Sequence, residues 1–425
     1  MNKLKLNFFK ILAFEIAVLS LFSCKSEANK EEQIKAAKKA AVEEYVKTLS
    51  PQAKISQLFL VNIEGNTTFK AVEKTAGLYT GAPEDLPLVP GGCLLFSYNI
   101  GKTEQQIKNF TDSIHKFYAE NDYPPPYISI DQEGGYVNRL RDIAPPFPSA
   151  KEISQKFSVE EASSLYKEQA VKMAELGINL DLAPVIEVET EENSAFLDTR
   201  SFGSLPEVLE YGQAEINIFE HLGIGTVLKH FPGNTNTDPH TGLPEIKVTE
   251  RELEEQLVAP FKALAPLSSA ILMSHARISL AEENVTKPLY KNLDSHTPAC
   301  LSSFWVTEVV RKDFGFKGLI LSDDIFMGAL RDNGFPPEKA ALQAIEAGID
   351  VIMLSEKRFG PVAQILLEYG AENPEFEAKI TEACKRVVEY KIKAGLIALK
   401  PVLSDQNGKP LKSPVFKVEV NETER

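Results

Sequence analysis

Eight short apolar runs, separated by amphipathic stretches, constrain this chain more than any other feature. They are LFLVNI (58–63), GCLLFS (92–97), PYISID (126–131), INLDLAP (178–184), GTVLKHF (225–231), SAILMSH (269–275), GLILSDD (318–324) and DVIMLS (350–355). Several are continuously apolar rather than alternating, which suits parallel strands covered by helices. The stretches between them carry helix signals. SVEEASSLYKEQAVKMAELG opens on a Ser cap and closes on Gly, and Thr249 with Glu252 three residues later has capping-box spacing. SSFWVTEVVRKDFG and PPEKAALQAIEAG also close on Gly. Repeated strand–helix units of this number predict an α/β fold, a (β/α)8 TIM barrel forming a single catalytic domain. A doubly wound open sheet is the alternative, but no GxGxxG follows the first strand.

The ends of the chain read differently. MNKLKLNFFK is basic, ILAFEIAVLSLFS is largely apolar, and Cys24 follows. That layout predicts a secretory signal over 1–23, whose apolar stretch is too short to span a bilayer comfortably. LFSC resembles a bacterial lipobox, which implies lipidation of Cys24, a membrane contact through that lipid, and a cell-envelope location. Residues 24–50 read as a polar tether running into a helix, 51–397 as the catalytic barrel, and 398–425 as a polar extension that wraps or frays. The remaining Cys93, Cys300 and Cys384 are far apart in sequence and read as buried apolar residues, with no disulfide framework and no metal-ligand spacing. The formal charge of −14 argues against a nucleic-acid partner.

Active sites of such barrels lie at the C-terminal ends of the strands. The unusual polar residues of this chain fall there: Asp131 after the third run, Asp181 in the fourth, Lys229 and His230 in the fifth, His275 in the sixth, Asp323 and Asp324 in the seventh. Charges are costly in apolar strands unless paired or used, so their convergence predicts a shared polar pocket and an enzyme. KHFPGNTNTDPHTGLP (229–244), too rich in Pro and Gly for a helix, then becomes a loop over the barrel mouth. Asp238 and His240 flank Pro239 there, and a carboxylate beside an imidazole can make a general acid and base near neutral pH. The spacing alone also fits a structural hydrogen bond.

Taken in order, KISQLFLVNIEG, GGCLLFSYNI, ISIDQEGGYVNRL, INLDLAPVIEV, TRSFG, KHFPG…DPH…LP, LILSDDIFMGAL and AGIDVIML resemble glycoside hydrolase family 3, specifically its single-domain bacterial β-N-acetylhexosaminidase branch, over about residues 51–395. The resemblance implies a retaining double displacement with Asp323 as nucleophile and His240, held by Asp238, as acid/base. It implies sugar recognition by Asp131, Arg139, Arg200, Lys229 and His230. It implies a terminal N-acetyl-β-glucosaminide substrate, from a glycan or muropeptide, with no cofactor or metal. A monomer is expected. The family's β-glucosidase branch carries its acid/base Glu on a second domain, which this chain ends too early to hold. Two departures concern the acid/base loop: NTNTDPH is shorter than the usual segment and lacks its first His, and Pro239 replaces a customary Ser. Both imply a loop that moves or reaches less. A glycan-binding lipoprotein without turnover and a phosphorylase using the same nucleophile are the other readings of this pattern.

Overall fold

The computed structural model describes residues 27–63, 89–281, 284–404, 409–411 and 413–420. The signal over 1–23 and Cys24 lie outside them. Among the described residues no helix is long and apolar enough to cross a membrane.

All eight apolar runs become strands of one parallel sheet. They are β1 (Phe59–Asn62), β2 (Gly92–Leu95), β3 (Tyr127–Ile130), β4 (Leu180–Asp181), β5 (Gly225–Phe231), β6 (Ala270–Met273), β7 (Leu319–Ser322) and β8 (Ile352–Ser355). The spatial order is β7-β6-β5-β4-β3-β2-β1-β8. A parallel bridge from Leu321 to Val351, with Ser322 N–H donating to the Val351 carbonyl at 2.9 Å, joins the two ends into a barrel. This is the expected (β/α)8 fold.

A strand's side chains alternate faces, and that period places the site. Leu60, Leu94, Tyr127, Leu180, Leu182, Val227, Leu272, Leu319, Leu321 and Met353 share one apolar cluster in the barrel. Continuing each strand in steps of two leads from Leu319 and Leu321 to Asp323, from Val227 to Lys229, and from Tyr127 to Asp131. The periodicity that fills the barrel with apolar side chains therefore delivers charges to its C-terminal mouth.

The helix signals hold, with one difference in winding. Ser158 caps Val159–Glu175 through a capping box with Glu161, and Gly348 ends Pro337–Ala347 in the left-handed conformation. Thr249 and Glu252 form the expected capping box, but Leu253–Val258 then adopts wide i→i+5 winding. Pro260, two residues on, has no N–H to continue an α-helical ladder. Phe304–Asp313 is wound the same way. Cys93, Cys300 and Cys384 are free and buried, as expected.

Two compact units are present: Leu49–Leu396 contains the barrel, and Glu27–Thr48 clusters with the segment from Ile397. In the smaller unit the tail, expected to wrap or fray, forms an antiparallel pair of Ile397–Pro401 with Phe416–Val420. The Lys38 ammonium lies 5.8 Å from the Phe416 ring centroid, tying the helix to that pair.

Candidate active site

The charges at the mouth form one connected network. Lys229, leaving β5 on the inner face, donates to Asp131 at 2.7 Å and meets Glu133 at 2.7 Å. Arg200 grips Glu133 with both arms of its fork, Nε at 2.7 Å and Nη2 at 2.9 Å. Arg139 approaches the other Asp131 oxygen at 3.6 Å. Burial alone would neutralise these groups. It pushes the Glu133 carboxyl up, but Lys229 and Arg200 overcome it and hold Glu133 far below the usual carboxylate range. Burial likewise pulls the Lys229 ammonium down, and Asp131 and Glu133 reverse that to a net rise. Glu133 is thus the structural anchor that fixes both cations. Asp181 sits beneath the network. Its Oδ1 accepts the Gln132 N–H at 3.0 Å, and burial pushes its carboxyl up to about 8.

Asp323 is 7% exposed at the tip of β7. Burial pushes its carboxyl up, yet His275, His230, the Asp324 N–H and Lys229 together bring it below the usual value. It therefore stands ionised in a largely dry mouth, which is what a carboxylate nucleophile requires. The Asp324 N–H donates to its Oδ1 at 2.8 Å and fixes its rotamer. Asp324 itself turns away, accepting the Phe326 N–H at 2.8 Å, and burial pushes its carboxyl up to about 6. Two adjacent aspartates are thereby separated: the first is held charged, the second is biased towards the neutral acid.

His275 supports this arrangement from below. It is 1% exposed, and burial lowers its tendency to protonate. Nε2 lies 3.0 Å from the Asp324 carbonyl, which assigns the proton to that nitrogen. Nδ1 lies 3.2 Å from the Cys300 sulfur. Burial raises the Cys300 thiol, so it stays protonated.

One residue escaped the sequence reading. Glu187, beyond β4 in the VIEV segment, accepts three bonds on a single oxygen: His230 Nδ1 at 2.7 Å, the His230 N–H at 3.2 Å and the Asn234 amide at 3.2 Å. This pins the His230 ring and places its second nitrogen, Nε2, away from the carboxylate. Glu187 sits in a segment already quoted for its pattern, but nothing in the sequence pairs it with a histidine forty-three positions later.

The loop that carries Asp238 and His240 occupies the rim. His240 Nδ1 lies 2.7 Å from Asp238 Oδ1, which also accepts the His240 N–H at 2.9 Å. Burial raises the Asp238 carboxyl, but these two bonds and the nearby His240 together outweigh it and bring the carboxyl below its usual value. The imidazole stays 67% exposed and is not packed against Asp323. Its backbone is fixed, however. The Ala329 N–H donates to the Pro239 carbonyl at 2.9 Å, and a Cβ added at Gly328 would lie 2.4 Å from the His240 carbonyl oxygen. The shortened loop is thus seated on the segment that follows β7, at the same barrel end as Asp323. Among the described residues no cluster of His, Cys, Asp and Glu is arranged to hold a metal ion.

The expected residues therefore fall into three groups. Asp131, Arg139, Arg200 and Lys229 are joined by ion pairs. His230 and Asp323 sit beside them, with His230 and Lys229 both acting electrostatically on the Asp323 carboxyl. Asp238 and His240 pair with one another on the rim above.

Comparison with known proteins places the family and the fold. The model described as "Glycosyl hydrolase family 3 N terminal domain" matches residues 52–390. A beta-hexosaminidase of Psychromonas ingrahamii is 32% identical over 286 residues, covering 65% of this chain and 78% of that protein. Beta-hexosaminidase A of Pseudoalteromonas piscicida is 30% identical over 277 residues, and the match covers 62% of this chain and 45% of that longer protein. The structure of a family 3 beta-N-acetylglucosaminidase from Paenibacillus sp. str. FPU-7 shares the fold, with a TM-score of 0.70 at 24% identity, over 86% of this chain and 66% of that one. The chain belongs to glycosyl hydrolase family 3.

Proposed function

We propose that this protein is a retaining β-N-acetylhexosaminidase that releases terminal N-acetyl-β-glucosamine from a glycan or muropeptide. Asp323 attacks the anomeric carbon while the departing oxygen takes a proton from His240. Water, deprotonated by His240, then displaces Asp323 and frees the sugar. An imidazole suits both halves of this cycle, because it does not add a negative charge beside the nucleophile. Its position on the exposed rim faces the side from which an aglycone leaves and water enters. Asp131, Arg139, Arg200, Lys229 and His230 hold the sugar hydroxyls through charge-assisted bonds.

The observation that carries this reading is Asp323: buried, yet held ionised, and directed along the inner face of the barrel into a mouth lined by cations. The names of the relatives supply the substrate class. Mass spectrometry after treatment with a fluorinated N-acetylglucosaminide that traps the intermediate tests it. A label on Asp323 is expected, and a label on any other residue rejects the assignment.

The signal layout supports a second proposal, that Cys24 is lipidated and the protein sits in the cell envelope. Cys24→Ala should move the protein from the membrane to the soluble fraction. Unchanged membrane recovery would exclude the lipid anchor.

A further inference from the structure

The mouth carries a feature that the charged cluster does not use. Of the large apolar side chains most exposed among the described residues, Tyr98 (46%) and Tyr136 (49%) are the ones on segments leaving the C-terminal ends of barrel strands. A single exposed aromatic needs no explanation. The Tyr98 ring and the Tyr136 backbone are held in place beside the residues expected to bind sugar.

Tyr136 sits on a sharp turn made by Gly134 (φ +85°) and Gly135 (φ +57°), where a Cβ at Gly134 would lie 2.1 Å from the Pro148 carbonyl oxygen. The turn is clamped from within. The Gln132 side-chain amide donates to Asn138 at 2.9 Å, and its oxygen accepts the N–H groups of Arg139 and Leu140 at 3.0 and 3.2 Å. Arg141 holds the Tyr136 carbonyl at 2.7 Å. One residue pair away, Glu133 meets Arg200.

Tyr98 is fixed differently. Its ring stacks on Phe96 at a centroid distance of 5.7 Å and an interplanar angle of 23°, and its hydroxyl donates to Asn62 at the end of β1, 2.6 Å away. The Arg139 guanidinium lies 5.4 Å from the Phe96 centroid and faces Asp131 on its other side. Aromatic surface and charged network therefore meet through Arg139.

A pyranose has a ring of hydroxyls and faces of C–H groups. The first suits the Asp and Arg set, and the second suits an exposed aromatic ring, which loses hydrated apolar surface on contact. A ring that is already fixed, as that of Tyr98 is, pays little conformational entropy on binding. We propose that Tyr136 and the Phe96–Tyr98 stack form a platform for a second pyranose, the one joined to the sugar being cleaved, so that the site selects oligosaccharides over glycosides with a small aglycone. This rests on the glycosidase reading above.

The test compares kcat/KM for the trisaccharide of β-linked N-acetylglucosamine with that for its methyl N-acetyl-β-glucosaminide. Covering about 50 Å² of ring predicts that the trisaccharide-to-methyl ratio falls about tenfold in Tyr136→Ala and in Tyr98→Ala. Tyr136→Phe should keep the wild-type ratio, because the ring and not the hydroxyl makes the contact. A ratio unchanged in both alanine variants overturns the proposal, as does a Phe variant that falls as far as Ala. Should the wild type cleave neither compound, the glycosidase reading fails, and titration calorimetry with the trisaccharide and the free monosaccharide decides the platform. A chain-length preference that the alanine variants lose supports it, and a wild type without that preference rejects it.

Discussion

Asp323 keeps its charge because its neighbours replace the water it has lost. Removing the charge while keeping the shape, as in Asp323→Asn, should lower kcat by about 10⁴-fold or more under the proposed double displacement, in which this carboxylate is the nucleophile. His240→Ala should lose about 10²- to 10⁴-fold, and less with an aglycone that leaves easily. Equal losses on easy and difficult leaving groups would remove the acid role. Glu187 is predicted to act through His230. Glu187→Ala leaves the His230 ring without its anchor and should reduce kcat/KM by about 10- to 100-fold, mainly through KM, with Glu187→Gln retaining much of the activity. A merely structural Glu187 would lower Tm without that division between KM and kcat.

At the scale of elements, the loop carrying Asp238 and His240 and the segment after β7 behave as one part. Gly328 is where they touch, and it has no room for a methyl group. Gly328→Ala should push the His240 backbone outward and lower kcat by about 10- to 100-fold, the cost of a misplaced catalytic group. The loss should be largest for poor leaving groups, which can be read from a series of aryl glycosides against retained sugar affinity. A variant with wild-type kcat across that series would show that the contact does not set the position of the imidazole. Pro239 belongs to the same account. It shortens the freedom of the loop, while its carbonyl accepts the Ala329 N–H, so a loop with fewer residues is seated by a neighbour.

For the whole molecule, the far end of the barrel carries a cost. Lys391 is fully buried, donates to Gln57, and stands 5.7 Å from the Tyr127 ring centroid. Burial pulls its ammonium down to about 7, with the Cys384 and Cys93 thiols only partly opposing this. The unfolded chain then binds this proton more tightly than the folded one between about pH 7 and pH 10, so stability should rise with pH across that window. Below pH 7 the penalty is fully present. Lys391→Met should raise stability at pH 6 by on the order of 3 kcal/mol and flatten the slope between pH 7 and 9.5, measured by denaturant unfolding at each pH. An identical slope in the variant would show that Lys391 does not titrate there.

The alternation of apolar runs with capped helices was enough to specify the barrel, because burial of strands covered on both faces leaves few other solutions. The same period of two put Asp323, Lys229 and Asp131 at one end, and that much of the site was legible in the chain. The partners were not. Glu133 holding Arg200 and Lys229, Glu187 holding His230, Cys300 beneath His275 and Gly328 under the acid/base loop are contacts between segments far apart in sequence. No local pattern encodes such pairings. They follow from closure of the sheet, which brings strand ends within hydrogen-bonding reach and excludes the water that would otherwise set each group's charge.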